Sequence, residues 1–201
     1  MRLGAAAGLW FDGANPLLRT DAGQRALQRA ADATATPPPA DLPVARIGAR
    51  IPDIALPDLD GRSVALPTAH AGRPILVNFW ASWCAPCIEE MPELDRYAAS
   101  QGPDGVQVIG IALDGVAPVA DFLARVPVRY PVLIDAPGPR DSSVQLGNLR
   151  GVLPYTVLLD AQGRLVKQKI GPFARGEVEG WVGEPREPGP IPSPEPRAPS
   201  P

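Results

Sequence analysis

A chain of 201 residues, 45% hydrophobic and 20% charged, has enough apolar side chain for one domain with a self-sufficient core, and a formal net charge of -3 excludes nucleic acid as a partner on electrostatic grounds. No Lys/Arg run addresses an anionic membrane surface either. With two cysteines, both in one motif, there is no disulfide framework, so the redox compartment stays open and the cysteines have a local role.

Met1-Arg2 followed by the apolar run 3–11 has the order of a secretory signal, a charge and then an apolar core. Gly4 and Gly8 interrupt that run, which is well short of the roughly 20 residues of a membrane span. Export by this segment stands level with the alternatives, a frayed N-terminus or a truncated upstream signal. Residues 20–34 predict a helix capped by Thr20 or Asp21, with Ala22, Leu27, Ala30 and Ala31 as a weak apolar stripe. Residues 36–43, with three consecutive prolines, make a stiff linker. Residues 1–45 are therefore an N-terminal segment: a weak signal or anchor, a short helix and a Pro-rich linker. The folded domain is expected over 46–184.

Within it, 51–66 predicts a β-hairpin, with Ile54 and Leu56 before the turn Asp58-Leu59-Asp60-Gly61 and Val64 and Leu66 after it. Ile75-Leu76-Val77-Asn78-Phe79-Trp80 is nearly all apolar, as a strand covered on both faces should be. Residues 85–100 carry Ile88, Met91, Leu94 and Ala98 at helical spacing, with a kink expected at Pro92. A second buried strand over 106–113 and a helix over 118–126 follow, and this alternation implies a parallel core. Then come a short strand over 130–134, a helical turn over 142–146, and strands over 155–159 and 164–170. The tight turn Asp160-Ala161-Gln162-Gly163 makes the last two antiparallel. Residues 177–182 form a closing helix weakened by glycine. Eight of the seventeen residues from 185 to 201 are proline, which describes a disordered tail. The predicted fold is α/β and thioredoxin-like: a central mixed sheet flanked by helices, with an N-terminal β-hairpin extension.

The chemistry is in Trp83-Cys84-Ala85-Pro86-Cys87, where a strand enters a helix. Two thiols at this spacing can close into a disulfide, and the helix N-terminus favours the thiolate of the first. Cys84, at the first helical position, can be exposed and attack; Cys87, one turn on, points inward and resolves. Pro86 occupies the first turn, where its missing N–H costs nothing. Glu90 is three residues beyond Cys87 on the same helix face, so it is a candidate acceptor for the Cys87 proton. The alternative is an exposed first-turn carboxylate like Glu89 and Glu93. Trp83 is expected in an apolar docking surface and Trp80 in the core or at its edge. His70, alone in a loop, is given no role.

The motif from Val77 through Cys87, with Glu90 and Pro92 after it, and Gly151-Val152-Leu153-Pro154-Tyr155-Thr156 before a strand ending at Asp160, resemble the TlpA-like family of thioredoxin-fold thiol:disulfide oxidoreductases. The resemblance covers residues 51–182. It implies that Pro154 is a cis proline beside the cysteine pair and that Leu153 offers backbone groups to an extended substrate. It implies protein thiol or disulfide substrates, a membrane or periplasmic electron donor, and a periplasmic or membrane-tethered location, with a cytoplasmic one as the alternative. No cofactor is implied beyond the redox-active disulfide Cys84-Cys87, and no metal. Two departures stand out: Asn78 replaces the buried acid of thioredoxin, and Val152-Leu153-Pro154-Tyr155 replaces the Gly-Ala-Pro-Glu-like loop of the cytochrome-maturation branch. A rival reading is Cu(I) held by the two thiolates, a soft ion suited to sulfur, although no methionine cluster or nearby histidine supports it. A related peroxidase would use Thr where this chain has Ala81.

Overall fold

The computed structural model describes residue 18 and residues 20–183; the signal-like run 3–11 and the tail 185–201 lie outside the described residues. In chain order the elements are α1 (Asp21–Ala33), β1 (Ile54–Pro57), β2 (Ser63–Leu66), β3 (Ile75–Trp80), α2 (Ala85–Ser100), β4 (Gln107–Leu113), α3 (Val116–Leu123), β5 (Val132–Asp135), α4 (Ser142–Gln145), β6 (Tyr155–Leu159), β7 (Leu165–Ile170) and α5 (Glu177–Val182). Five strands form one mixed sheet in the order β5-β4-β3-β6-β7. Strands β3, β4 and β5 run parallel, while β6 is antiparallel to both β3 and β7.

Strand β3 is the centre of the sheet, and all six of its residues are buried. Its alternation divides the core in two. Leu76 and Trp80 pack with Met91, Leu94, Phe122, Val178 and Trp181 on the face covered by α2, α3 and α5. Ile75, Val77 and Phe79 pack on the other face with Leu56, Leu66, Leu133, Leu146 and Tyr155. Burial on both faces is why the strand reads as an unbroken apolar run.

Hairpin β1–β2 forms a separate two-stranded sheet whose turn is held by Asp58: its Oδ1 accepts the Asp60 and Arg62 N–H groups, and Gly61 takes the positive φ of 80° that the turn needs. Helix α1, capped by Thr20 Oγ1 on the Gly23 N–H, covers the free edge of β7. Gln24 does this with its side-chain amide, whose Oε1 accepts the Ile170 N–H at 2.9 Å while Nε2 donates to the Ile170 carbonyl at 3.4 Å. An exposed strand edge is a template for pairing with other chains, and here it is occupied.

Some boundaries differ from expectation. Helix α3 starts at Val116 rather than 118 because Pro118 falls in its first turn, where no N–H is needed. Strand β5 starts at Val132, and Tyr130 is buried ahead of it. Helix α2 continues through Pro92 to Ser100. Among the described residues no helix is long and apolar enough to cross a membrane.

Candidate active site

At the end of β3 the chain turns through 81–84 into α2. Asp114, at the end of the parallel neighbour β4, fixes this turn by accepting the Ser82 N–H at 3.2 Å and the Ser82 hydroxyl at 2.5 Å. Cys84 is the N-cap residue, one position earlier than the sequence suggests, and its carbonyl accepts from the Cys87 and Ile88 N–H groups at 3.1 Å each. A cap residue leaves the helical path, so its side chain stands at the positive end of the helix. Cys84 and Cys87 are joined in a disulfide with Cα atoms 5.3 Å apart. Cys84, expected to be exposed, is buried with 5% of its surface left to solvent, and Cys87 has none, so the difference between them is small but runs in the expected direction. Pro86 lies in the first helical turn, exposed with Ala85, and Trp83 beside them is 70% exposed.

The Leu153-Pro154 peptide bond is cis. The β3–β6 register pairs Phe79 with Tyr155, so Pro154 falls at the end of β3 from which the chain enters the cysteine turn. Leu153, half-buried, packs against the cluster that contains both cysteines. Asn148 shapes this loop: its Nδ2 donates to the Val152 carbonyl and its Oδ1 accepts the Val152 N–H, both at 3.0 Å. Ser143 Oγ in turn accepts from Asn148 Nδ2. Sequence reasoning missed Asn148, because its partner is fixed by a loop conformation rather than by periodicity.

Glu90 is 1% exposed. That finding replaces the alternative of a solvated first-turn carboxylate; Glu89 is the exposed one, and Glu93 is buried and paired with Arg96. Glu90 Oε1 accepts from Asn78 Nδ2 at 2.7 Å, and Oε2 accepts the Phe173 N–H at 2.7 Å. Asn78 Nδ2 also donates to Thr156 Oγ1 at 3.0 Å. Burial raises the Glu90 carboxyl to about 7, against the lowering pull of the Phe173 N–H, the Asn78 amide and the Lys169 charge, with Glu177 adding to the rise. A carboxyl that titrates near neutrality, one turn along the helix from Cys87, can exchange a proton at working pH.

The structure thus gathers Trp83, Cys84, Pro86, Cys87 and Glu90 on one turn-helix unit and brings the Leu153-Pro154 loop to the same end of the sheet. Asp114, Thr156, Lys169, Phe173 and Glu177 were not legible as neighbours of this unit. Lys167 and Lys169 alternate along a strand, which reads as a solvated face, yet the side chain of Lys169 is buried.

A cysteine pair capping a helix on a thioredoxin-like sheet, with a cis proline opposite, defines a thiol:disulfide oxidoreductase of thioredoxin fold. The chain belongs to the Redoxin family, whose model matches residues 46–181. It is 28% identical over 144 residues to the thiol-disulfide oxidoreductase ResA of Bacillus cereus, covering 71% of this chain and 80% of that one. Among solved structures it is similar to the thiol:disulfide interchange protein DsbE of Chlorobium tepidum, with 29% identity, a TM-score of 0.60 and coverage of 69% of this chain and 96% of the other. It is also similar to a secreted disulfide oxidoreductase of Mycobacterium tuberculosis, with 25% identity, a TM-score of 0.51 and coverage of 64% and 93%.

Proposed function

We propose that this enzyme works as a reductase of protein disulfides outside the cytoplasmic membrane, with Cys84 as nucleophile, Cys87 as resolving thiol and Glu90 as acceptor of the Cys87 proton. The observation that carries the reading is the asymmetry of the pair: Cys84 caps the helix beside the exposed Trp83, Ala85 and Pro86, whereas Cys87 is fully buried within the helix, one turn from a buried carboxyl.

The cycle starts from the dithiol. Cys84 thiolate attacks one sulfur of a substrate disulfide, forming a Cys84–substrate mixed disulfide and releasing the other substrate sulfur as a thiolate, which takes a proton from solvent. Cys87 then gives its proton to ionised Glu90 and attacks Cys84 Sγ. The second substrate thiolate leaves, the Cys84–Cys87 disulfide forms, and two electrons have passed to the substrate. Glu90 gives the proton it took to the leaving thiolate, which restores the carboxylate. A dithiol electron donor at the membrane reopens the pair by the reverse exchange. Trp83 and Pro86 provide the apolar contact around Cys84, and Leu153 presents backbone groups to an extended substrate segment. The secreted relative supports the compartment.

In an assay of protein disulfide reduction, Cys84→Ser abolishes turnover and Cys87→Ser accumulates the covalent Cys84–substrate adduct. An unreactive Cys84 in the wild-type dithiol, or turnover that persists without it, would overturn the assignment. Direction is read separately by equilibration with a glutathione series. Thioredoxin-fold pairs span about -120 to -270 mV, and the reductase reading expects a value toward the low end; one near the high end reverses the direction of electron flow.

A further inference from the structure

The polar row that holds Glu90 continues beyond it. In register across the sheet, Asn78 of β3 faces Thr156 of β6, and Thr156 faces Lys169 of β7. Lys169 is 3% exposed. An ammonium so deeply buried needs a counter-charge, which Glu177 of α5 provides, with its Oε1 3.0 Å from Lys169 Nζ. The same Nζ lies 5.0 Å from the centroid of the Phe173 ring. Phe173 is the residue whose N–H binds Glu90, and the next N–H, of Ala174, donates to Glu177 Oε2 at 2.8 Å. Consecutive amides of the loop 171–176 are thus held by two carboxylates, Glu90 and Glu177, beside one buried cation.

The charge count has a consequence. With Glu90 ionised, the three groups carry one net negative charge; with Glu90 protonated they are neutral. Lys169 favours the ionised form and Glu177 opposes it. The remaining groups facing Glu90 are few. Tyr130, ahead of β5, is a phenol held above its ordinary range by burial and by the charges of Glu90 and Asp95. On α2 itself, Cys87 is one turn back, and Glu93 is occupied by Arg96 and by the Gly176 N–H. Among the described residues, Lys169 is the only cation found to act on Glu90.

We propose that Lys169 and Glu177 are positioning residues for thiol exchange: a buried ion pair that sets the charge state of Glu90 without touching substrate, so that Glu90 can both take and return the Cys87 proton. The proposal rests on the reading of Glu90 as that acceptor. Without Lys169 the charge of the partly buried Glu177 acts on Glu90 unbalanced, and Glu90 keeps its proton to higher pH. Without the Glu177 charge, Lys169 is left to Glu90 alone, and Glu90 ionises earlier.

The test follows the Glu90 side-chain carbon by NMR in the oxidised full chain labelled with 13C-glutamate, where no thiol titrates, with Glu90→Gln identifying the resonance. Lys169→Met is expected to raise the midpoint by about one pH unit or more, a tenfold change in proton affinity, and Glu177→Gln to lower it. Lys169→Arg restores the midpoint, and the double variant Lys169→Met with Glu177→Gln, which leaves no unpaired charge in the core, falls between the two singles. Midpoints that do not move overturn the proposal. So do midpoints that fall in both single variants, because a merely loosened core admits water and lowers both. The pH profile of turnover should follow the same order. If the carboxyl shifts as expected and the profile stays in place, it is Glu90 as proton acceptor that fails, while its charge coupling to Lys169 stands.

Discussion

Glu90 has opposite consequences for stability and for chemistry. Its carboxyl is raised from the ordinary 4.5 to about 7 in the folded chain, so the native state holds a proton that the unfolded state has released across that interval. Stability then falls as pH rises through the window, because unfolding releases the proton, and it is level again above the folded value. The difference corresponds to roughly 3 kcal/mol at full ionisation, an order-of-magnitude figure for so buried a group. Glu90→Gln keeps the shape and removes the titration. Denaturant unfolding of the oxidised proteins should therefore show the variant gaining on the wild type by roughly 3 kcal/mol between about pH 4 and about pH 8. Parallel curves over that range would mean that Glu90 is not the buried acid described above. The same variant should release substrate from the mixed disulfide more slowly, by about 10²-fold or more, since positioned proton acceptors contribute on that scale.

At the scale of elements, what could be read from the sequence depended on whether a residue's environment is set locally. Strand β3 was legible because both of its faces are covered, which leaves a continuous apolar signature. Helix α1 was legible from Thr20, whose hydroxyl makes the cap that its residue type suggests. The cysteine pair announced itself by spacing. Glu90 could be proposed but not separated from Glu89 and Glu93, because helical spacing does not say which flank of α2 another segment will cover. That segment is the loop 171–176, whose Phe173 and Gly176 amides bind Glu90 and Glu93 across 83 residues of sequence. The loop has no periodicity to read. Lys169 was hidden for a related reason: alternation along β7 puts Lys167 and Lys169 on one face, and only α5, packed over that face, turns a solvated position into a buried one. The TlpA-like resemblance placed the cis proline, which no local rule for an X-Pro bond would have favoured.

For the molecule as a whole, the open question is where the working unit starts. The Redoxin match begins at residue 46, and the sequence places the domain boundary there as well. Yet α1 reaches back over the domain: Gln24 pairs with both backbone groups of Ile170, Asp21 lies 3.5 Å from Lys167, and Leu27 and Ala31 pack on the core face opposite the cysteines. Because the redox pair belongs to the other face, α1 bears on stability and not on the exchange reaction. A chain starting at Arg46 should therefore keep the thiol-exchange rate of the full chain. It should unfold more easily by at least about 2 kcal/mol, from the lost apolar burial and the lost amide pairing. Its β7 edge would be open, and edges of this kind recruit other edges, so sedimentation should show association that grows with concentration where the full chain shows none. An unchanged denaturation midpoint together with an unassociated shortened chain would mean that α1 is a passive appendage. A lost exchange rate in a folded shortened chain would instead mean that the two faces of the sheet communicate, against the division of the core described here.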